Sequence, residues 1–450
     1  MQIILLSGGS GSRLWPLSND TRSKQFLKIL PTNKADVRES MMQRVIRQIK
    51  ESGVKADITV ATSIAQRDSV AAHAGEGVDI VTEPSRRHTF PAIALACEYL
   101  SKIKKCNPDE PVIVMPCDPL TEEGYFYTLS RMADIVKNDV FPLVLMGIKP
   151  TYPSSKYGYL LPDTVPHANE AVKVKLFREK PSVSEAEKLI KEGALWNAGV
   201  FAFRLGFMLR LSEKYLNYPN FEDYKINYDS YPQISFDYEV AEKTSDMGMV
   251  AFYGEWKDLG TWNTITDELT LSQYGNVIND GSHNTHIFNE LNIPLLCIGT
   301  KDLVIAASPD GIIVSEKEKS ENVKKYAGQL KHRPMYEERR WGTYKVIDYV
   351  EFPDKFHALT KQLTLNPGCS ISYQRHSSRD EIWTFIDGEG EIVLDGVRKP
   401  VKRGDVFNIP KGQLHALRAI TSLTFIEVQQ GSNLVEEDIE RFPYDWEAKS

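Results

Sequence analysis

A glycine-rich segment near the start of the chain contains the residue types that bind phosphate. Residues 7–14 read Ser-Gly-Gly-Ser-Gly-Ser-Arg-Leu and directly follow the apolar run Gln2–Leu6. Where no Cβ atom blocks the approach, successive backbone N–H groups can converge on an anion. The residues predicted to do so are Gly8, Gly9, Ser10, Gly11 and Ser12. Arg13 adds a permanent positive charge and Lys24 a second cation, which together suit a triphosphate.

Other glycine-rich motifs differ from this loop. A dinucleotide-binding fingerprint needs a third glycine where Leu14 stands, and a Walker loop needs a Gly-Lys-Ser/Thr ending that the segment lacks. Both motifs are therefore excluded. A structural turn that binds no ligand stays open as long as glycine content is considered alone.

Two aspartates far apart in the sequence have the chemistry of metal ligands. Asp118 ends the apolar run Val112–Cys117, and Asp258 lies in the segment Trp256–Trp262. Magnesium prefers carboxylate and phosphate oxygens, so the pair could hold one Mg²⁺ ion against a nucleotide. Taken singly, each aspartate also suits a turn or a helix cap, and that alternative stays open.

These residues need a scaffold, and residues 1–271 predict an α/β domain. Strand-like apolar runs such as Ile58–Ala61 and Leu143–Gly147 alternate with helical stretches. Ser40 and Gln43 form a capping-box pattern that opens one helix, and Gly53 can end it. The alternation favours a Rossmann-like, mixed but mostly parallel sheet that binds ligands beyond the carboxyl ends of its strands.

Two further sections complete the predicted architecture. Residues 272–331 are rich in turns and short strands, with a charged helix through Lys317–Leu330, and predict a small β linker module. Residues 332–450 contain short strands separated by glycines, and the pair Asp395-Gly396 indicates a hairpin. This last section predicts an all-β barrel or jelly roll.

Composition limits the partners of the chain. Its 450 residues are 42% hydrophobic with a formal net charge of −7, which indicates no electrostatic footprint for nucleic acid. No stretch approaches the ~20 apolar residues of a membrane span, and the N-terminus lacks the pattern of a signal peptide. The five cysteines lack CxxC spacing, so reduced thiols are expected. We therefore expect a cytoplasmic protein that binds neither nucleic acid nor membranes.

The opening of the chain resembles that of bacterial mannose-1-phosphate guanylyltransferases, members of the sugar-phosphate nucleotidyltransferases. Residues 8–18, Gly-Gly-Ser-Gly-Ser-Arg-Leu-Trp-Pro-Leu-Ser, and residues 24–27, Lys-Gln-Phe-Leu, carry the resemblance. It extends over essentially the whole chain, because the longer members end in a cupin domain of the type II phosphomannose isomerase kind. The resemblance thus implies a nucleotidyltransferase domain, a linker and a cupin.

The resemblance also implies roles for single residues. Arg13 and Lys24 would be catalytic, and Asp118 and Asp258 would hold Mg²⁺. The sugar phosphate would be bound by Gly158, Glu179, Lys180 and Asn197, although a Glu-Lys pair alone is ordinarily just solvated. On the nucleotide side the implied binding residues are Glu83 and Arg86. Nearby, His88 replaces a family asparagine and is interpreted as a packed or capping histidine.

Both halves of the cupin motif are recognisable in residues 368–388 and 404–415. The metal-ligand positions are occupied by Gln374, His376, Glu381 and His415. Two imidazoles, a carboxylate and an amide oxygen suit Zn²⁺ or another divalent transition metal. Ser378, Ile382 and Ala416 stand where the isomerases carry two histidines and an arginine. These changes favour a structural cupin that supports a homodimer over an isomerase, and metal binding stays open.

The predicted reaction is nucleotidyl transfer from a nucleoside triphosphate to a sugar 1-phosphate. The resemblance implies GTP and mannose 1-phosphate, giving GDP-mannose and pyrophosphate for polysaccharide or glycoconjugate biosynthesis. Such a transfer depends on positioning and charge neutralisation. The alternatives are a bifunctional enzyme that also interconverts mannose 6-phosphate and fructose 6-phosphate, a nucleotidyltransferase for another base or sugar with a non-catalytic cupin, and a non-catalytic sugar-nucleotide sensor.

Overall fold

The computed structural model of the chain describes residues 1–9, 11–32, 37–330 and 333–447. Two compact units are present: the first contains Met1–Leu14 and Ser23–Thr270, and the second contains Trp15–Arg22 and Leu271–Ser450. The predicted linker module and cupin thus fall in one unit, together with a short segment from the N-terminal region. Ser10, one of the predicted loop residues, lies outside the described residues.

The first unit alternates strands and helices. Its strands are β1 (Gln2–Ser7), β2 (Leu30–Pro31), β3 (Arg38–Glu39), β4 (Asp57–Ser63), β5 (Val78–Glu83), β6 (Pro111–Pro116), β7 (Pro119–Thr121), β8 (Leu143–Ile148), β9 (Tyr159–Pro162), β10 (Ala171–Arg178), β11 (Leu195–Arg204), β12 (Met247–Phe252) and β13 (Trp256–Asp258). Its helices are α1 (Met41–Glu51), α2 (Arg67–Ala74), α3 (Thr89–Lys102), α4 (Gly124–Lys137), α5 (Val183–Lys191), α6 (Leu205–Ser212), α7 (Phe221–Ile226), α8 (Phe236–Glu239) and α9 (Trp262–Thr266).

A mixed sheet forms the centre of this unit, in the order β5-β4-β1-β6-β11-β8-β12-β10-β9. Strands β5, β4, β1 and β6 pair in parallel, as do β8 and β12, whereas β11, β10 and β9 pair antiparallel. Ile3 and Leu5 belong to one apolar cluster and Ile4 to another, so the sheet is covered on both faces. The predicted mixed α/β class is confirmed, with antiparallel pairing more extensive than expected.

Local sequence signals determine where helix α1 begins and ends. The Ser40 side chain accepts a hydrogen bond from the backbone of Gln43, and the Gln43 side chain accepts one from the Ser40 N–H. Gly53, just beyond the helix, has φ of 75°, a conformation that costs glycine little. The capping box and the helix end predicted from the sequence are both confirmed.

The sheet brings the predicted catalytic segments to one edge. Strands β1 and β6 are parallel neighbours, so the glycine loop after β1 and Asp118 after β6 leave from the same edge. The short strand β13 pairs antiparallel with β7, which places Asp258 opposite Pro119. Two aspartates 140 positions apart in sequence thereby become neighbours.

The second unit is almost entirely β-structure. Its strands are β14 (Gln273–Gly275), β15 (Val277–Asp280), β16 (His286–Asn289), β17 (Leu295–Ile298), β18 (Leu303–Ser308), β19 (Gly311–Glu316), β20 (Tyr336–Arg339), β21 (Gly342–Glu351), β22 (His357–Leu365), β23 (Ser370–Arg375), β24 (Arg379–Asp387), β25 (Glu389–Leu394), β26 (Val397–Lys402), β27 (Val406–Ile409), β28 (His415–Ala419), β29 (Leu423–Gly431) and β30 (Glu440–Phe442). A six-stranded and a five-stranded sheet, β20-β21-β22-β29-β24-β27 and β26-β25-β28-β23-β30, make up the C-terminal part. The all-β cupin fold and the Asp395-Gly396 hairpin between β25 and β26 match the sequence prediction.

The predicted helix through Lys317–Leu330 is wrong in its length. The structure has a 3-10 turn, Ser320–Asn322, and one short helix, α10 (Val323–Ala327). Val323 is the buried side chain of that helix. Because a short helix with so little apolar surface to bury is marginal in water, the charged residues Lys317–Lys319 that precede it do not become helical. Throughout the described residues, no helix has the length and apolar character needed to cross a membrane.

Polar contacts anchor the segment Trp15–Arg22 inside the second unit. The Arg22 guanidinium donates to both carboxylate oxygens of Glu290, at 2.9 and 3.0 Å. The Asn19 amide donates to Asp310 at 2.8 Å, and the Ser308 hydroxyl donates to the Pro16 carbonyl at 2.7 Å. The two segments of the chain that form this unit are therefore joined by buried or partly buried hydrogen bonds.

Candidate active site

Lys24 lies between the two aspartates that were predicted to bind a metal. Its ammonium is 2.7 Å from an Asp118 carboxylate oxygen and 3.4 Å from one of Asp258. Burial alone would lower the pKa of Lys24, but the two carboxylates outweigh it and hold that pKa above its usual value. The pair of acids therefore already holds one cation, supplied by the protein itself.

Arg13 adds a second positive charge next to this group. A Cβ atom built on Gly260 would lie 3.2 Å from both Asp258 carboxylate oxygens and 3.3 Å from an Arg13 guanidinium nitrogen. Asp258 and Arg13 are therefore neighbours across Gly260. The structure thus brings together both predicted catalytic cations and both predicted metal ligands.

The glycine loop is held by side chains that the sequence did not single out. The Gln66 amide donates to the Gly9 carbonyl at 2.7 Å, and the Gln25 amide donates to the Ser7 hydroxyl at 3.1 Å. A Cβ atom on Gly8 or Gly9 would meet no atom of the described residues within 4 Å, so this face of the loop is open. An open, anchored loop next to two cations is suited to an anionic ligand.

The donor set at this position fits magnesium. Asp118 and Asp258 offer carboxylate oxygens, which are the ligand type that Mg²⁺ prefers alongside phosphate oxygens. Their side chains are 25% and 34% exposed, so a hydrated ion can reach them. Lys24 shows that positive charge between the carboxylates is favourable.

The four residues predicted to bind the sugar phosphate also lie together. The Lys180 ammonium is 2.6 Å from a Glu179 carboxylate oxygen, and the Asn197 backbone N–H donates to the Gly158 carbonyl at 2.8 Å. A Cβ atom on Gly158 would come within 2.5 Å of the other Glu179 oxygen, so a larger residue here would displace the Glu179 carboxylate. Lys180 has φ of 46°, an uncommon backbone conformation for a non-glycine residue.

Tyr157 connects the two groups of residues. Its carbonyl accepts a hydrogen bond from the Lys180 backbone at 3.2 Å, and its ring centroid lies 4.8 Å from that of Trp196. Burial, and next the charge of Asp258, raise the pKa of the Tyr157 hydroxyl. Asp258, a predicted metal ligand, and the residues predicted to bind the sugar phosphate thus flank one aromatic side chain.

Glu83, which was predicted to bind the nucleotide, is a buried acid at the end of β5. The Tyr228 hydroxyl donates to its carboxylate at 2.7 Å. Burial raises the pKa of Glu83 to about 7, while the Tyr228 hydrogen bond and the charge of Arg86 act in the opposite direction. Arg86 itself is exposed. Tyr228 has no local signal in the sequence, because it lies 145 positions away.

The interpretation of His88 as a packed or capping side chain is wrong. His88 is exposed, and although it occupies the N-cap position of α3, its side chain makes no capping hydrogen bond. Its φ of 66° and ψ of −168° fall in a region that is almost restricted to glycine. The loop that joins β5 to α3 therefore carries backbone strain at this residue.

Replacing Tyr228 by phenylalanine should destabilise the protein in a pH-dependent way. The substitution leaves the buried Glu83 carboxylate without its tyrosine donor, at a cost of about 1–3 kcal/mol. Because the pKa of Glu83 is raised on folding, its contribution to stability is present below its unfolded value and lost as the pH rises through about 7. The Tyr228 hydrogen bond lowers the pKa of Glu83, so it stabilises the ionised carboxylate. The loss of stability on substitution should therefore be larger at pH 8, where Glu83 is ionised, than at pH 5. Urea unfolding at the two pH values measures the free energy of unfolding of both proteins. An equal loss at both pH values would contradict the role of Tyr228 as a donor to the Glu83 carboxylate.

In the cupin, the four predicted metal-ligand residues come together. One ligand atom each from His376, Glu381 and His415 lies within 4.8 Å of the others, and all three residues are buried. Gln374 faces His415 in the register of β23 and β28, and its amide nitrogen is 3.4 Å from His376 Nε2. The sequence did not single out Arg379, whose Nε donates to Glu381 at 2.8 Å.

Backbone contacts prepare both imidazoles for a metal. His415 Nδ1 donates to the Gln413 carbonyl at 3.0 Å, and His376 Nδ1 donates to the Asp438 carbonyl. Each Nε2 therefore carries a lone pair that can bind a metal, although that of His376 also accepts a hydrogen bond from the Arg379 guanidinium at 3.3 Å. The two nitrogens lie 3.2 and 3.6 Å from Glu381 carboxylate oxygens. Burial lowers the pKa of His415 and, together with the charge of Arg379, that of His376 to about 4. The residues fit a divalent transition metal.

Two of the three positions at which this sequence differs from the isomerases lie away from the cluster of metal-ligand residues. Side chains alternate along a strand, so Ile382 is on the face opposite Glu381, and Ala416 is on the face opposite His415. The side chains that the isomerases carry at these two positions would therefore not point into the cluster. Ser378 stays close to it, because its backbone N–H donates to Asp438 at 3.0 Å.

The chain belongs to the nucleotidyl transferase family, whose conserved region matches residues 2–273. It is therefore a nucleotidyltransferase. Residues 325–444 match a second family, described as mannose-6-phosphate isomerase C-terminal. The class of enzyme and the cupin extension that the sequence indicated are confirmed.

Relatives of similar length share both regions. A mannose-1-phosphate guanylyltransferase of Escherichia coli (strain K12) is 30% identical over 98% of this chain and 97% of that protein. The xanthan biosynthesis protein XanB of Xanthomonas campestris is also 30% identical, and the alginate biosynthesis protein AlgA of Pseudomonas aeruginosa is 29% identical. A crystal structure from Thermus thermophilus, described as a mannose-1-phosphate geranyltransferase, matches in fold with a TM-score of 0.61 at 23% identity, over 74% of this chain and 99% of that one.

Proposed function

We propose that the protein transfers a guanylyl group from GTP to mannose 1-phosphate, giving GDP-mannose and pyrophosphate for polysaccharide biosynthesis. The observation that carries this proposal is the group formed by Arg13, Lys24, Asp118 and Asp258 at the mouth of the glycine loop. The choice of base and sugar rests on relatives named mannose-1-phosphate guanylyltransferase and on proteins of xanthan and alginate biosynthesis.

The reaction needs charge neutralisation and alignment. An oxygen of the sugar phosphate attacks the α-phosphorus, a new P–O bond forms, and the bond to the leaving pyrophosphate breaks. Arg13 and Lys24 neutralise the triphosphate, while Lys180 binds and orients the attacking phosphate. Asp118 and Asp258 would hold magnesium, which when bound neutralises phosphate charge. No side chain needs to form a covalent intermediate.

A matrix of substrates tests this proposal. Pyrophosphate release is measured for GTP, ATP, UTP, CTP and dTTP, each with mannose 1-phosphate, glucose 1-phosphate and galactose 1-phosphate. The highest kcat/KM is expected for GTP with mannose 1-phosphate, and EDTA should abolish release. A different preferred pair would overturn the choice of substrates, whereas absence of release with every pair would overturn the activity itself.

We also propose that the cupin holds a divalent transition metal on His376, Glu381 and His415, with Gln374 beside them. Support comes from the fixed tautomers of both imidazoles and from the Nε2 atom of His415, which is buried without a hydrogen-bond partner among the described residues. The isomerase-type family match over residues 325–444 favours interconversion of mannose 6-phosphate and fructose 6-phosphate as a second activity. A coupled assay with both hexose phosphates tests it.

Removal of one imidazole should empty the cupin. Protein purified with zinc present is expected to retain about one equivalent per chain, and His376→Ala should lose it because one of three ligands is gone. His357→Ala, at a histidine outside the cluster, should retain the metal. Elemental analysis after dialysis gives the readout. Equal metal content in all three proteins would show that the cluster is not the binding site.

A homodimer in the cytoplasm is the remaining proposal. On β15 and β17, Ile278, Leu296 and Ile298 are 57%, 62% and 64% exposed, which leaves an apolar surface for a second copy. All five cysteines are free thiols, as is usual in a reducing compartment. Sedimentation of the purified protein and fractionation of cells test the two statements separately.

A further inference from the structure

We propose that Asp237 binds the sugar directly, and that Asn197 acts by positioning it. The inference rests on the proposed function and adds a specificity-determining residue that the motifs around Gly158, Glu179 and Asn197 do not contain. Asp237 lies in the short helix α8, 40 positions beyond Asn197. Its ligand would be a sugar phosphate with neighbouring hydroxyl groups on one edge of the ring.

The first argument concerns the hydrogen bonds of Asn197. Its amide nitrogen donates to an Asp237 carboxylate oxygen at 2.8 Å, and its amide oxygen accepts from the Gly199 backbone at 3.0 Å. Both ends of the amide are thus used inside the protein. Asn197 is buried, with 7% of its surface exposed, whereas Asp237 is only partly buried. Of the two residues, Asp237 is the one that remains accessible to a ligand.

The second argument concerns charge. Burial, and next the nearby charge of Glu179, disfavour ionisation of Asp237 and raise its pKa to about 6. Lys180 is the cation that offsets the two acids, since it forms an ion pair with Glu179 and also lowers the pKa of Asp237. When Lys180 turns to a substrate phosphate, both carboxylates lose part of that compensation.

Hydroxyl groups of the substrate can compensate Glu179 and Asp237 when Lys180 turns to the substrate phosphate. An ionised carboxylate only accepts hydrogen bonds, so it needs donors when it is partly desolvated. A sugar ring offers neutral O–H donors on adjacent carbons, whose spacing suits two neighbouring carboxylates. The same two acids would repel a ligand that carries further negative charge at these positions. Glu179 and Asp237 therefore select for a hydroxylated, uncharged ring attached to a phosphate.

The test combines variants with altered substrates. For the nucleotide and sugar pair that the wild type uses best, Asp237→Asn and Asp237→Ala should raise KM for the sugar phosphate about 10- to 100-fold and leave KM for the nucleotide within about twofold. Monodeoxy analogues then identify the hydroxyl: for the analogue lacking it, the wild type and Asp237→Ala should bind equally well, since the shared interaction is already absent. Asp246→Asn, at a 65% exposed aspartate of the same unit, serves as the control.

Two results would overturn the inference. One is an unchanged KM for the sugar phosphate in both Asp237 variants that melt at the wild-type temperature. The other is a loss of affinity in Asp237→Ala, relative to the wild type, that is the same for every deoxy analogue. That result would indicate a structural role for Asp237 instead of a contact with one hydroxyl. If Asp237→Ala does not fold, the same comparison with Asp237→Asn decides. Failure of the proposed function is a different outcome, because the wild type would then release no pyrophosphate with any pair.

Discussion

Replacing Asp258 by alanine is expected to lower kcat/KM for nucleotidyl transfer by about 10³-fold while the chain stays folded. Asp258 contributes one of the two carboxylates that flank Lys24, and it lies opposite Pro119 through the pairing of β13 with β7. The substitution would leave Asp118 as the single carboxylate available to the proposed magnesium ion. Because the Asp258 side chain is 34% exposed, the fold loses little by its removal.

Pyrophosphate release at saturating magnesium measures the effect, and circular dichroism with thermal melting confirms that the variant is folded. Asp267→Ala is the matched control, because Asp267 is an exposed aspartate only nine positions further along the same unit. The control should keep wild-type turnover. If Asp258→Ala retained substantial activity at high magnesium, the two aspartates would not form the proposed metal site.

Replacing Lys24 by methionine is expected to have two measurable effects. Loss of the cation that is proposed to contact the triphosphate should lower kcat/KM by about 10²- to 10³-fold. In EDTA the variant should also be less stable than the wild type by about 2 kcal/mol, because Asp118 and Asp258 then face each other without a positive charge between them. Methionine keeps the length of the apolar stem, so packing changes little.

Magnesium should distinguish these effects. Added Mg²⁺ supplies the missing positive charge, so it should raise the melting temperature of Lys24→Met more than that of the wild type, while activity stays low. Lys28→Met, at an exposed lysine of the same segment, should behave like the wild type in both assays. Identical melting of Lys24→Met and the wild type in EDTA would show that Lys24 does not neutralise the pair.

Local sequence patterns predicted the parts of the structure that depend on nearby residues. The capping box at Ser40, the left-handed Gly53 and the Asp395-Gly396 hairpin are short-range signals, and all three appear where expected. The glycine loop with its two cations was recognisable for the same reason. The helix predicted over Lys317–Leu330 was too long, because helix propensity without an apolar face to bury does not stabilise a helix.

The supporting contacts of the site could not be predicted in this way. Tyr228 reaches Glu83 across 145 positions, Asp237 reaches Asn197 across 40, and Gln66 holds the glycine loop across 57. Each pair depends on how helices and loops pack around the sheet, which no periodic pattern records. The positive φ of His88 is equally invisible in the sequence, since histidine gives no sign of a backbone conformation that normally requires glycine.

The grouping of Trp15–Arg22 with the second unit bears on any dissection of this enzyme. A fragment ended at residue 270 would keep this segment but lose Glu290, Asp310 and Ser308, its hydrogen-bonding partners. The guanidinium of Arg22 would then be stripped of its carboxylate, only two positions before Lys24. Truncation and domain exchange would thus also disturb the N-terminal segment. Point substitutions within the intact chain are the better way to determine what the C-terminal half contributes.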